Sequence, residues 1–178
     1  PLLCSYWGGS QGLSPTYEQA HVGLDLLTLV SLNYKEDIDM VDQNCAYCME
    51  GELVAKFGIK ICELETSKVY LFKEQSHPGR CIVAHKKHVG DMNELTAEER
   101  AAYFEDVARV ARAIMKAFNP DKVNYGAYGD TGHHLHFHLC PKYKDEYEWG
   151  GVFLMNPDKK YLTDAEYAEM IEKIKANL

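Results

Sequence analysis

Residues 132–143 read GHHLHFHLCPKY. The strict alternation in 134-HLHFHL-139 is what an extended strand with one apolar and one polar face requires, because successive side chains of a strand point to opposite sides. The spacing predicts Leu135, Phe137 and Leu139 in a core and His134, His136 and His138 together on the other face. At ~3.3 Å per residue the outer two histidines stand about 13 Å apart at Cα. Zinc–imidazole bonds are only ~2.0–2.1 Å long, so three ligands from one straight strand would strain to share an ion. One strand histidine is ordinary, but three in register, of eight in the chain, point to a site. The run is expected to split between two jobs.

Cys45-Ala46-Tyr47-Cys48 is a C-x-x-C. Alone it fits a redox pair, half a zinc site or two buried thiols. With no second C-x-x-C in the chain, a four-cysteine ribbon is excluded. A mixed Cys₂His₂ site needs two histidines from elsewhere, and His85 and His88 in 81-CIVAHKKHVGDMNEL-95 are the obvious donors. On chemistry alone structural zinc is favoured over a redox pair.

Turn and cap signals organise the rest. Runs 59–65 and 68–72 read as a hairpin about Thr66-Ser67, and 79–85 as a third strand after the breaker pair Pro78-Gly79. Thr96 and Glu99 form a capping-box pattern, and Phe104, Val107, Ala111, Ile114 and Phe118 continue it as a core-facing helical stripe. Residues 122–128 and 134–139 read as two further strands, and Thr163 with Glu166 opens a C-terminal helix. This order predicts an α+β fold: an antiparallel sheet of about five strands, a long central helix and a C-terminal helix.

Residues 1–43 look like an extension of unknown role, and 44–178 like one domain. Residues 1–44 hold six acids and one lysine, so five of the eight net negative charges lie there. A net charge of −8 argues against the broad basic surface that nucleic-acid binding demands, but not against small anionic ligands. The apolar run 24–32 is interrupted by Asp25 and no segment is long enough to span a bilayer, so neither a secretory signal nor membrane insertion is expected. Six cysteines in such a chain are then expected to be free or metal-bound thiols in a reducing, cytoplasmic setting. Cys62, Cys81 and Cys140 read as buried strand thiols, and Trp149 as a core aromatic by default, with packing on the functional site or on a partner protomer as the alternatives.

The residues also carry a family resemblance. HLHFHLC (134–140) is similar to the H-φ-H-φ-H-φ-φ signature of the histidine triad (HIT) nucleotide hydrolases and transferases, where φ is apolar. IVAHKKH (82–88) resembles that family's strand followed by P-K-x-H, with His85 where proline is usual. Helix 96–118, Asn124, the Gly-Asp-Thr turn and Pro141 fall in family order over roughly residues 44–178, most similarly to members with an N-terminal C-x-x-C. The resemblance implies a HIT-like fold, a homodimer and a structural zinc on Cys45, Cys48, His88 and His134. It implies that His136 is the nucleophile toward the α-phosphorus of a nucleotide, with His138 and Thr131 as phosphate-side partners. Asn124, Asp130 and Glu74 would contact substrate, Glu74 through the ribose; Asp130 stands where one branch has glutamine. The implied reaction is hydrolysis of a dinucleoside polyphosphate or nucleoside phosphoramidate through a nucleotidyl-histidine. Transfer to a second substrate and nucleotide binding without turnover are the alternatives. A cupin-type metal oxygenase also uses H-x-H on a strand, but it wants a glutamate a few residues on, and the first here is Glu146. His133 stays unassigned, and His21 and His77 have no evident partner.

Overall fold

The computed structural model describes residues 42–178. The expected extension, all but its last two residues, and the apolar run 24–32 lie outside the described residues. Two short helices, α1 (Ala46–Met49) and α2 (Gly51–Ala55), lead into strands β1 (Gly58–Glu63), β2 (Ser67–Phe72) and β3 (Cys81–His85). A 3₁₀ turn (Met92–Glu94) precedes the long helix α3 (Ala97–Phe118). Strands β4 (Lys122–Gly126) and β5 (His136–Lys142) and helix α4 (Asp164–Lys175) complete the chain. All pairings are antiparallel, in the order β1-β2-β3-β5-β4, which places β3 at the centre and β4 at an edge.

Alternation along the strands builds two different faces. Val69, Leu71, Cys81, Val83, Phe137 and Leu139 join the inner faces of α3 and α4 in the main core. Tyr70, Phe72, Ile82 and Ala84 point the other way, toward Tyr47 of α1 and Val54 of α2. Leu135, Phe137 and Leu139 are buried as the alternation predicts. The five-stranded α+β architecture is the expected one, and its details explain where the pattern slips.

Both long helices start at the predicted caps. The Thr96 hydroxyl accepts from the Glu99 amide while the Glu99 carboxylate accepts from the Thr96 amide, and Thr163 and Glu166 repeat the arrangement on α4. A third capping box, Asp91 with Glu94, opens the 3₁₀ turn and was not anticipated. The buried face of α3 centres on Tyr103, Val107, Val110 and Ile114 rather than on Phe104, which is exposed. Asp106 lies on this buried face, its Oδ2 accepting from the Thr66 amide (2.9 Å), the Thr66 hydroxyl (2.8 Å) and the Ser67 hydroxyl (2.8 Å). The helix thereby grips the β1–β2 turn. Gly79 has φ +88°, a left-handed conformation that side chains disfavour, and the Phe118 ring packs where its Cβ would stand. That turn delivers Arg80 to the start of β3.

Candidate active site and metal centre

The histidine run begins two residues earlier than the strand it was expected to occupy. His134 sits in a bend before β5, where its amide donates to the Gly132 carbonyl (2.8 Å). Leu135 then ties that bend to β3 and the following loop, donating to Val89 and accepting from His85. This departure from straight strand geometry frees His134 to turn toward the C-x-x-C, while His136 and His138 stay in register on β5, opposite Ala84 and Ile82. The bend thus separates His134 from the two histidines on the strand.

Cys45 is the N-cap of α1 and Cys48 lies within its single turn, so both sulfurs face one way. The four atoms Cys45 Sγ, Cys48 Sγ, His88 Nδ1 and His134 Nδ1 all lie within 4.8 Å of one another. His134 Nδ1 is 3.3 Å from Cys45 Sγ, 3.6 Å from Cys48 Sγ and 3.4 Å from His88 Nδ1, and Cys48 Sγ is 3.2 Å from His88 Nδ1. A tetrahedron with zinc–nitrogen and zinc–sulfur bonds of ~2.0–2.3 Å has edges of about 3.3–3.8 Å, so the spacing suits such an ion. The tautomer suits it too. His134 Nε2–H donates to the His85 carbonyl (2.7 Å), which leaves the Nδ1 lone pair aimed at the cluster. Burial holds the His134 ring's pKa down at about 4, against the opposing effect of that hydrogen bond, and burial with the neighbouring Cys45 pushes the Cys48 thiol up to about 11. A cation would supply the charge that lets both thiols ionise. These residues can hold a metal ion. His85, the other donor considered, points away: its Nδ1 accepts from the Lys87 amide (3.0 Å) and its ring packs on Tyr103.

Beside the cluster opens a cavity of about 850 Å³, whose lining includes His134, His136 and His138. Tyr47, Phe57, Phe72, Ile82, Tyr128 and Phe153 make much of it aromatic and apolar, as a site for a flat ring system would be. His136 Nδ1–H donates to the His134 carbonyl (2.7 Å), so its Nε2 carries a free lone pair. Burial lowers the His136 pKa, outweighing that hydrogen bond, and keeps the ring neutral near pH 7. The Tyr47 ring stacks obliquely at 5.0 Å from His136 and 5.1 Å from His134, linking the C-x-x-C turn to both histidines. His138 lies 5.1 Å from His136, ring to ring, and its Nδ1 accepts from Arg80 (3.2 Å). Its pKa is pushed down to about 2 by burial first and by Arg80 second.

The other expected site residues divide. Thr131 and Asp130 line the cavity mouth, as does His133, and all three are exposed. Asn124 is half-buried on β4, paired with Cys140, and lies outside the lining. Glu74, expected at the ribose, also lies outside it. Its carboxylate is 1% exposed, and Oε1 accepts from the Ser76 hydroxyl and from the backbone amides of Ser76, Lys159 and Lys160. Oε1 thereby holds the 159–160 segment, while Oε2 is buried without a partner. Trp149 is 41% exposed rather than core, whereas Cys81 and Cys140 are fully buried and Cys62 is half-buried. His77 proves to have a partner, Glu148, at 2.9 Å.

Sequence reasoning missed Tyr47 and the wall formed by Val152, Phe153 and Met155 on the cavity, and Arg80 beside His138. Tyr47 could have been found, since a residue inside a helical C-x-x-C must lie close to whatever the cysteines hold. A strand-edge arginine gives no such signal.

A HIT domain family model matches residues 58–145. The protein Hit of Bacillus subtilis is 28% identical over 123 residues, covering 65% of this chain and 83% of its own length. The adenosine 5′-monophosphoramidase hnt1 of Schizosaccharomyces pombe is 28% identical over 116 residues, 60% of this chain and 80% of that one. Among solved structures, a histidine triad protein from Sinorhizobium meliloti superposes with TM-score 0.66 at 23% identity, over 72% of this chain and 95% of its own. A zinc-bound histidine triad family protein from Mycobacterium smegmatis gives TM-score 0.54 at 21% identity, over 74% and 93%. With the matched region spanning β1 to β5, two of the three histidines on β5 and the cavity before them, residues 58–145 of this chain form a histidine triad (HIT) domain.

Proposed function

We propose that this protein is a nucleotide phosphohydrolase acting at the α-phosphate of a nucleoside phosphoramidate or dinucleoside polyphosphate. The observation that supports the reading most is the His136 tautomer: Nδ1–H is held by the His134 carbonyl and Nε2 keeps its lone pair on a cavity-lining ring. Attack by that nitrogen on the α-phosphorus forms a P–N bond and breaks the P–N or P–O bond to the leaving group. Water then attacks phosphorus, releasing the nucleoside monophosphate and returning the electron pair to Nε2. Splitting one displacement into two is covalent catalysis. His138 donates to the non-bridging oxygens as charge builds there, and Thr131 at the mouth lies on the leaving-group side. The name of the Schizosaccharomyces pombe relative supports an adenosine phosphoramidate as the first substrate to try.

Cys45, Cys48, His88 and His134 would hold zinc, which the zinc-bound Mycobacterium smegmatis relative supports. With four protein ligands the ion would have no open position, so its contribution would be structural: tying the α1 turn and Tyr47 to the start of β5. Association into a homodimer fits the edge position of β4 and the exposed Phe104 and Met115 of α3 and Tyr125 of β4. The test is turnover of adenosine 5′-phosphoramidate and a diadenosine polyphosphate by the wild type beside His136→Ala. The wild type should release AMP from at least one, and the variant should be slower by more than ~10³-fold. Equal rates, or no cleavage of either class, would refute the reading.

A further inference from the structure

Among the described residues the largest fully buried side chain is Arg80, 0% exposed, and it lies immediately behind the cavity wall. Its guanidinium touches four residues that line the cavity. It sits 4.2 Å from the Phe72 ring centroid and 5.0 Å from that of Phe153. One terminal nitrogen donates to the Met155 carbonyl (2.8 Å), and the other reaches His138 Nδ1 (3.2 Å) and Met155 Sδ (3.1 Å). Nε is buried without a partner. Among the described residues, none of the ion pairs involves Arg80. A guanidinium kept from water with two aromatic faces and no carboxylate is costly, so the arrangement needs a compensating role.

The chemistry of the contact supplies one. Guanidinium can only donate, so the nitrogen facing it must be an acceptor. His138 Nδ1 is thereby held as a lone pair, and in a neutral ring the proton must then sit on Nε2. His136 is fixed in the opposite sense by the His134 carbonyl. Two neighbouring imidazoles thus receive complementary tautomers from two different partners: His136 presents a lone pair, His138 an N–H.

We propose that Arg80 is a positioning residue for the triad, locking His138 as the Nε2–H donor to the phosphate while clamping the 153–155 wall against it. The inference rests on the phosphohydrolase reading for its catalytic consequence, but not for the tautomer. Arg80 does not reach the cavity itself; it acts through His138 and Met155. Removing an oxyanion donor from an active site typically costs ~10²–10³ in kcat, and loosening one without removing it should cost about 10- to 100-fold.

The test has a spectroscopic arm and a kinetic arm. Long-range ¹H–¹⁵N spectra of histidine-labelled protein, assigned with His138→Gln, report which imidazole nitrogen bears the proton. The wild type should show His138 protonated at Nε2 alone, and a proton on Nδ1 would overturn the proposal whatever the activity. Arg80→Met should show averaged His138 tautomers and lose about 10- to 100-fold in kcat on adenosine 5′-phosphoramidate, with little change in KM. Arg80→Lys, which keeps one donor, should hold the Nε2–H tautomer and recover part of that rate. A merely structural role predicts the reverse order, because buried methionine costs less than buried lysine. If Arg80→Met does not fold, the wild-type spectrum and the lysine variant still decide. Failure of the wild type to turn over would sink the phosphohydrolase reading, while the spectrum would judge the tautomer separately.

Discussion

His138 is neutral in a wall that contains a buried guanidinium, and this has a consequence for stability. Burial and Arg80 hold its folded pKa at about 2, far below the ~6.5 of an unfolded histidine. As pH falls below ~6.5 the unfolded chain takes up a proton that the folded chain refuses, so the stabilisation is fully present above that pH and is lost on acidification. His77, His85, His134 and His136 are shifted in the same direction, each chiefly by burial. The melting temperature should therefore fall from pH 7 to pH 5, and less steeply in His138→Gln; parallel slopes would contradict the assignment. At this scale much was legible in the sequence. Alternation separates Leu135 and Phe137 from the histidines because a pleated strand has only two faces. The hydrogen-bond partner of each ring nitrogen was not legible, because those partners, Arg80 and the carbonyls of His85 and His134, are set by tertiary contacts and a local bend.

Among the elements, the join between α3 and the β1–β2 hairpin rests on one carboxylate. Three donors from Thr66 and Ser67 converge on Asp106 Oδ2, and Asp106 and Ser67 are both buried. Asp106→Ala should lower the unfolding free energy by about 1–3 kcal/mol in urea titration, because it strands those donors. Glu105→Ala, which removes only an exposed pair with Arg112, should stay within about 0.5 kcal/mol. Equal effects would show that the clamp is idle. The helix itself was legible from its capping box and apolar period. The apolar stripe in the sequence runs through Phe104, whereas the buried face includes an aspartate that an apolar pattern cannot show. The short helix around the C-x-x-C was missed for a related reason: four residues are too few to show a period.

The whole molecule depends on contacts between distant parts of the chain. Cys45 and His134 are 89 residues apart, and a metal joining them closes a long loop around the sheet. Tyr47 stacks on both His134 and His136, so the same closure supports the His136 ring. The purified protein should contain about one zinc per chain, and Cys48→Ala should lose it together with several degrees of melting temperature. His136→Ala should keep its metal. A metal-free wild type of unchanged stability would refute this part of the account. The C-x-x-C and the His88 spacing, with the family resemblance, made the Cys45, Cys48, His88 and His134 cluster readable from the sequence. The cavity's far wall was not readable, since Phe153 and Met155 reach it from an irregular segment that Arg80 and Glu74 hold in place.

The central claim is that one run of histidines serves two chemistries, with His134 turned to the metal cluster and His136 turned to phosphorus. The most direct measurement is mass analysis of peptides from a reaction with adenosine 5′-phosphoramidate quenched during turnover at alkaline pH, where a phosphorus–nitrogen bond survives. One adenylyl group should appear, on the peptide bearing His136 and absent from the His136→Ala enzyme. AMP released with no adduct on His136, or an adduct on His138 instead, would contradict it.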